Sequence, residues 1–425
     1  MEKHSSEGQQ VPIMTCEATL KRSISLPMLI FYGVGTMIGG GFYALLGKVA
    51  GEAGHAVPIA LAASGVLALL SALSFAELSS RFPVSAGESH YAYEGFHSGA
   101  LSGLIGWMVI LTGIVSASTL AVATIGFLQD FVAVPQRISI ALLVIAMGLI
   151  AAWGIGQSVR LVAIITVIEL GALFFVLYVG RHDLAAAPGE WRTLLPESST
   201  NAWAGIFAGA FLAFYAFIGF EDMVNMAEEV KDARRTLPIA ILVSIVVTTC
   251  LYIIVSTAAV LMVPPEELAE QATPIARLVE GHGWYSTTGI GIVSLLTGLN
   301  GALVQIIMAS RVAYGMAKKG RAPQWFGIVH PKTQTPLYGT AAMTGVILAL
   351  AVFFPLTTLA KATSTIILAI FAIVNLALWR IKGQTKTKSH DGFSIPRWLP
   401  MLGFLSCTAV LLFQFWLIAR NVVGN

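Results

Sequence analysis

The residues best able to do chemistry in this chain are a few acids set in apolar surroundings. Glu169 lies inside RLVAIITVIELGALFFVLYVG (Arg160–Gly180), with no other charge between it and Arg160. Glu221 and Asp222 directly follow Gly219 within AGIFAGAFLAFYAFIGFEDMVNMAEE (Ala204–Glu229). An ionisable side chain inside an apolar segment is expensive to bury and marks a functional position by default. Glu169 could carry a proton, attract a cation (sodium or the ammonium of a cationic solute), or stay neutral and hydrogen-bonded to a neighbouring helix. Glu221 could cap a half-helix that begins after Gly219.

The second chemical feature is backbone. GVGTMIGGGFYALLG (Gly33–Gly47) places five glycines between Gly33 and Gly41. Glycine costs about 1 kcal/mol against alanine in a helix interior, so this run weakens any helix that contains it. Gly219 interrupts a second apolar segment in the same way. A half-helix that starts after a break presents free N–H groups and a positive dipole end; one that ends before a break presents free carbonyls. Together they suit a carboxylate and an ammonium, the two ends of an amino acid zwitterion. The competing reading is close helix packing, with Gly35 and Gly39 as a small-xxx-small contact.

These features need long apolar elements to carry them. Of 425 residues, 56% are hydrophobic and only 11% are charged, against roughly 25% charged in soluble domains. The pattern predicts an all-α polytopic membrane protein, because runs of about 20 apolar residues can span a bilayer as helices. Eleven spans are expected, near 24–50, 57–79, 100–129, 137–154, 158–180, 201–229, 237–263, 286–316, 337–355, 357–380 and 398–420. With a cytoplasmic N-terminus, eighteen Lys and Arg residues fall inside, six outside, and Lys361 lies near the outer part of a span. That asymmetry fixes the orientation and puts the C-terminus outside. Residues 1–23 read as a polar cytoplasmic tail, Gly87–Leu101 as an interfacial helix, Pro264–Gly283 as an acidic outer loop, and Lys382–Gly392 as a basic inner loop. Glu77 and Arg81, four apart at a helix end, read as an ordinary ion pair.

The breaks fall in spans one and six. Ten spans then divide into two sets of five, 24–180 and 201–380, with 398–420 as an additional eleventh span. An odd number of spans per set makes the two sets antiparallel. Interrupted helices at matching places in inverted halves point to a transporter site near the midplane.

The chain resembles the amino acid–polyamine–organocation transporters in their prokaryotic permease form. The matching stretches are GVGTMIGGGFYALLG, FAELSSRFPVSAGESHYAY (Phe75–Tyr93), FYAFIGFEDMVNMAEEVKDARRTLPIAI (Phe214–Ile241) and ASRVAYGMAKKGRAPQWFGIVHPKTQTP (Ala309–Pro336). The resemblance implies a leucine-transporter-like fold with a 5+5 inverted repeat and alternating access. It places the unwound part of span one on Ile38, Gly39, Gly40 and Gly41, whose N–H groups would hold the substrate carboxylate. Relatives usually keep a Ser or Thr where this chain has Gly40. The carbonyls around Phe214, Phe217 and Ile218, before Gly219, would take the ammonium. Tyr215 matches an aromatic gate, and Glu221 an acid beside the pocket. Many relatives carry a Lys at the Glu169 position, filling the place of a sodium ion; an acid cannot do that, so a coupling role would be protonic or cation-binding. Phe42, Phe214, Tyr215 and Phe217 suggest an aromatic, apolar pocket.

The expected function is transport of an amino acid or amine across a bacterial inner membrane, by proton-coupled symport or exchange. The alternative is a carrier of cationic amino acids or polyamines that uses Glu169 or Glu221 as counter-charge. The eight histidines lie in tails, loops or span edges, which argues against a metal site, a catalytic triad or any enzyme activity. No cofactor and no nucleic acid partner are expected; protons, lipid and a monomer or weak homodimer are.

Overall fold

A computed structural model describes residues 22, 24–84, 87–129, 131–153, 159–196, 199–330, 335–384 and 392–423. Of the charges used for orientation, Lys3, Lys21, Lys332, Lys386 and Lys388 lie outside these residues, as do Cys16, residues 1–21 of the tail and most of the basic inner loop. The described residues are almost entirely helical. The helices are α1 (Leu26–Ala53), α2 (Val57–Arg81), α3 (Gly87–Phe96), α4 (Gly99–Gln129), α5 (Gln136–Trp153), α6 (Val159–Val179), α7 (Arg181–Glu190) and α8 (Thr200–Ala213). They continue with α9 (Ala233–Met262), α10 (Pro265–Glu270), α11 (Pro274–Arg277), α12 (Trp284–Lys318), α13 (Leu337–Phe353), α14 (Leu356–Gln384) and α15 (Trp398–Val423).

Seven helical stretches among the described residues are long and apolar enough to cross a membrane, and one of them, Leu26–Arg81, contains both α1 and α2. The pair α6 and α7, bent by 64°, makes a further one. The apolar helices Gln136–Ala152 and Leu337–Phe353 are shorter. At 17 residues, Leu337–Phe353 extends about 26 Å at 1.5 Å per residue, near the lower limit for a bilayer core of about 30 Å. Counting these two gives the eleven expected segments, with bounds within a few residues. The interfacial segment forms α3, and the acidic loop forms α10 and α11.

Side-chain packing sorts the helices into two cores. One is built chiefly by α1, α2, the α8 segment, α9, α14 and α15. The other is built by α4, α5, α12 and α13. The most extensive helix pairs are α4 with α12 and α2 with α9. The broken elements lie along the seam. Just before α1, the Ile24 N–H donates to the Glu229 carbonyl at 3.1 Å, and the Lys231 N–H donates to the Ile24 carbonyl at 3.0 Å. The start of the first broken helix is thereby tied to the end of the second.

Glu77 is more than a helix-end partner for Arg81. Its side chain is fully buried, and Oε1 takes the Arg81 guanidinium at 2.6 Å and the Lys382 ammonium at 2.7 Å. Oε2 accepts the Ile395 N–H at 2.8 Å. One carboxylate therefore joins α2, the end of α14 and the approach to α15. Removing one member of a buried ionic network leaves the others uncompensated, at a cost of about 3–5 kcal/mol. Glu77→Ala should lower the thermal unfolding midpoint of the detergent-purified protein by several degrees; an unchanged midpoint would show that water replaces the network freely.

Candidate functional site

The first break is a single residue. Gly39 has φ −23° and ψ −173° inside an otherwise continuous α1. The second is longer. After α8 the chain runs as a 3₁₀ turn over Phe214–Phe217, is extended at Ile218, and resumes as a 3₁₀ segment over Glu221–Glu229. Between them Gly219 has φ +130°, in the region that favours glycine. A Cβ at Gly219 would lie 2.9 Å from the Thr36 side chain. The two breaks therefore touch: the Thr36 hydroxyl lies 3.0 Å from the Gly33 carbonyl and 3.2 Å from the Gly219 carbonyl. From α9, the Tyr252 hydroxyl reaches the carbonyls of Met37 at 2.7 Å and Ala216 at 3.0 Å. Glu221 accepts the Gly219 N–H at 2.8 Å, so it satisfies the break itself, as a cap does.

A small cavity of about 40 Å³ lies between the breaks. Gly39, Gly40, Gly41, Tyr215 and Ile218 line it, and α12 contributes Thr297, Asn300 and Gln305. A water molecule takes about 30 Å³ of liquid volume, so the cavity is water-sized in this conformation. The five glycines divide by role. A Cβ at Gly35 would strike Thr166 of α6, which makes Gly35 a packing residue, whereas a Cβ at Gly39 would meet nothing within 4 Å. Gly40 stands where three helices converge: a Cβ there would lie 2.6 Å from Leu120 Cδ2 of α4 and 3.0 Å from the Gly298 Cα of α12.

The structure does not bring all the expected residues together. Ile38, Phe42, Phe214, Phe217 and Gly219 are not among those lining the cavity. Phe42 stacks on Tyr252 with centroids 4.1 Å apart, Phe217 meets the same ring edge-on, and Phe214 packs against Phe371. These rings pack in the core, and the cavity wall combines Ser116, Thr297, Asn300 and Gln305 with Leu120 and Val304. Tyr215 does face the cavity, and its hydroxyl lies 3.0 Å from that of Ser116 on α4. Glu169 is buried on α6, beside Thr297 of the cavity wall. Its carbonyl accepts the Tyr43 hydroxyl at 3.1 Å, while its Oε2 has no hydrogen-bond partner. Thr297 Oγ1 is also buried without a partner.

Of the other polar residues here, Glu88, Asn225, Arg311 and Gln305 were not singled out in the sequence as site residues. A larger cavity of about 280 Å³ lies toward the start of α1, lined by Tyr32, Glu88, Asp222, Asn225, Glu229 and Arg311 among others. Gln305 stands between the two cavities, with Nε2 3.4 Å from Asp222 Oδ2 and Oε1 unpartnered. Glu88, on α3, is 2% exposed. Burial pushes its carboxyl up to about 8, with the Asp222 charge adding to the rise and its own amide opposing it. Side-chain contacts bridge elements on the opposite face. The Lys48 ammonium of α1 donates to the Ala269 carbonyl at 2.6 Å, and Lys361 pairs at 3.4 Å with the half-exposed Glu52 rather than with a buried acid.

A family model described as amino acid permease matches residues 24–425. The cationic amino acid transporter 3 (mitochondrial) of Arabidopsis thaliana is 32% identical over 423 residues, covering 90% of this chain and 68% of its own length. The branched-chain amino acid permease of Bacillus subtilis is 27% identical over 424 residues, covering 94% and 90%. The methylthioribose transporter of the same organism is 26% identical over 438 residues, covering 97% and 93%.

Two predictions arise here. Gly40→Ser, which adds the hydroxyl side chain common in relatives, should cut transport strongly because Leu120 and the Gly298 backbone occupy its space. Gly40→Ser combined with Leu120→Ala should recover part of it. Flux assays on both variants decide, and full activity in the single variant would contradict the packing. The second concerns pH. Glu88 is neutral in the fold below about pH 8, while in the unfolded chain it ionises near the ordinary 4.5. Between those values the unfolded state binds fewer protons, so this group's contribution makes stability fall as pH rises from about 4.5 to about 8. Glu88→Gln should unfold at the same temperature as the parent at pH 5 and at a higher one at pH 9.

Proposed function

The chain belongs to the amino acid permease family, and on that footing we propose that it is a secondary active transporter of amino acids working by alternating access. It is an integral membrane protein of a transporter family and not an enzyme. The observation that carries the mechanism is the meeting of two interrupted helices around one cavity, with Thr36 bridging Gly33 and Gly219. Backbone N–H groups after Gly39 take the substrate carboxylate, and carbonyls near Phe214, Phe217 and Ile218, of which Ile218 lines the cavity in this conformation, take its ammonium. Gly40 supplies no hydroxyl, so main-chain groups hold the carboxylate almost alone. Tyr215 gates the pocket from α8 and Glu221 holds the second break in shape.

The repeat reading, 24–180 and 201–380 with 398–420 added, is supported by how the halves sort. The first two spans of each half, α1, α2, the α8 segment and α9, build one core, and the third and fourth, α4, α5, α12 and α13, build the other. The positive-inside asymmetry supports a cytoplasmic N-terminus and an outside C-terminus, here in a bacterial inner membrane. The conformation described is then open to the cytoplasm and closed outside. Glu169 serves as the proton carrier. In its support, its Oε2 is buried without a hydrogen-bond partner in an apolar helix, where a neutral acid is far cheaper than a carboxylate.

A cationic substrate is the second reading. Three acids, Glu88, Asp222 and Glu229, line the larger cavity, and the Arabidopsis relative is named for cationic amino acids. Competition of unlabelled arginine and leucine for uptake separates the two.

The coupling role is tested in proteoliposomes under an imposed pH gradient. Glu169→Gln should abolish proton-driven accumulation and leave exchange of internal for external amino acid largely intact. Normal accumulation by this variant would exclude Glu169 as the carrier.

A further inference from the structure

The 280 Å³ cavity approaches the lower end of ligand pockets, about 300–1,000 Å³. The cavity between the breaks is far smaller, so of the two only the larger has room for an amino acid in this conformation. Its walls carry unlike charges on different elements. Glu88 comes from α3, Asp222 and Glu229 from the broken segment, Arg311 from α12, and Lys319 from the residue that caps α12. Among the described residues, no ion pair joins Arg311 or Lys319 to any of these acids.

That separation is informative. Glu88 and Asp222 are 2% and 4% exposed, and buried carboxyls are costly unless something compensates them. The nearest protein donor to Asp222 is Gln305, at the long distance of 3.4 Å. Asn225, in the same wall, has a buried Nδ2 with no acceptor. Arg311 is exposed to the cavity from the facing helix. Acids and a guanidinium that line one space without touching leave a gap that a molecule bearing both charges can bridge. Charge-assisted contacts at each end are the strong kind.

We propose that this vestibule is a second amino acid site. It holds one free α-amino acid, with the carboxylate at Arg311 and the ammonium at Asp222 and Glu88, the bound ammonium holding the Glu88 carboxyl in its ionised form. Gln305 joins it to the central cavity, because its Nε2 reaches Asp222 while its free Oε1 accepts from an ammonium arriving from the central side. An amino acid released from the breaks is held here before it leaves, and one bound from this face blocks that release. The inference rests on the amino acid reading above and goes beyond it in stoichiometry.

The test is equilibrium binding of radiolabelled L-leucine and, separately, L-arginine to the full-length protein in detergent. The transported amino acid should saturate at two molecules per chain. Arg311→Gln and Glu88→Gln should each reduce this to one and leave the affinity of the remaining site unchanged. Leu120→Trp, which fills the central cavity, should also leave one, and that one should be sensitive to Arg311→Gln. With the unaltered protein, isoamylamine and agmatine, which lack the carboxylate, should displace the vestibular ligand roughly tenfold or more weakly than the parent amino acids. Saturation at one molecule with no response to Arg311→Gln overturns the vestibular site while leaving transport in place. Two molecules in both the Arg311 and Glu88 variants also overturns it. No binding of either amino acid, together with no flux of either, would remove the amino acid reading itself.

Discussion

Interrupting a helix in the middle of a membrane frees backbone groups that lipid cannot satisfy, and the arrangement of this site is governed by how those groups find partners. One phenol does much of it. The Tyr252 hydroxyl approaches the Met37 carbonyl before the first break and the Ala216 carbonyl within the second. Its ring is clamped by Phe42 on one face and meets Phe217 at its edge. Thr36 links the breaks directly through the Gly219 carbonyl, and Glu221 takes the Gly219 N–H. Carbonyls and amides that would otherwise be orphaned are held within one cluster. Gly39 itself faces open space, since a Cβ there would meet nothing within 4 Å.

The second constraint is the seam. The breaks belong to one core but press on the other, and glycine makes the contact possible. Gly40 sits against Leu120 and Gly298, and a Cβ at Gly298 would in turn collide with Thr124 of α4. Backbone approaches backbone across the seam, so motion of one core against the other changes the cavity directly. A side chain at Gly40 would couple to α4 and α12 before it touched a ligand. That close approach leaves little room for a side chain at Gly40.

Much of the fold was legible because it is dictated by a bilayer. Apolar length set the helices, and glycine placed both breaks. The orientation of side chains next to the breaks was not legible. Helical periodicity tells which residues share a face, but at Gly39 and Gly219 the backbone leaves that periodicity, and Phe42, Phe214 and Phe217 turn into the core. The acids show the same limit. Glu77 and Arg81 lie four residues apart, so their pairing could be read; Lys382 is 305 residues from Glu77, and its arrival could not. Glu88 lay in a polar, aromatic stretch that reads as an interfacial helix, and its burial follows from the docking of α3 against α4 and α14. Glu169 was conspicuous because its neighbours in sequence are apolar.

The distribution of ionic contacts shows where such a molecule can open. On the closed face the contacts are half-exposed. Lys361 with Glu52 is an ion pair in contact with solvent, and Arg277 pairs with Glu267 and Glu280 at similar exposure. Pairs of this kind contribute roughly 0–1 kcal/mol each, since water replaces either partner cheaply. Glu77 and its cations lie at the other extreme, buried and mutually dependent. A cycle that exposed the cavity to each face in turn would break the first kind and keep the second. The Glu77 network joins α2 to α14 and to the start of α15, all within one core, so no relative movement of the two cores need disturb it. The contacts that cross from α1 to α10, such as Lys48 with the Ala269 carbonyl, are the ones that must yield.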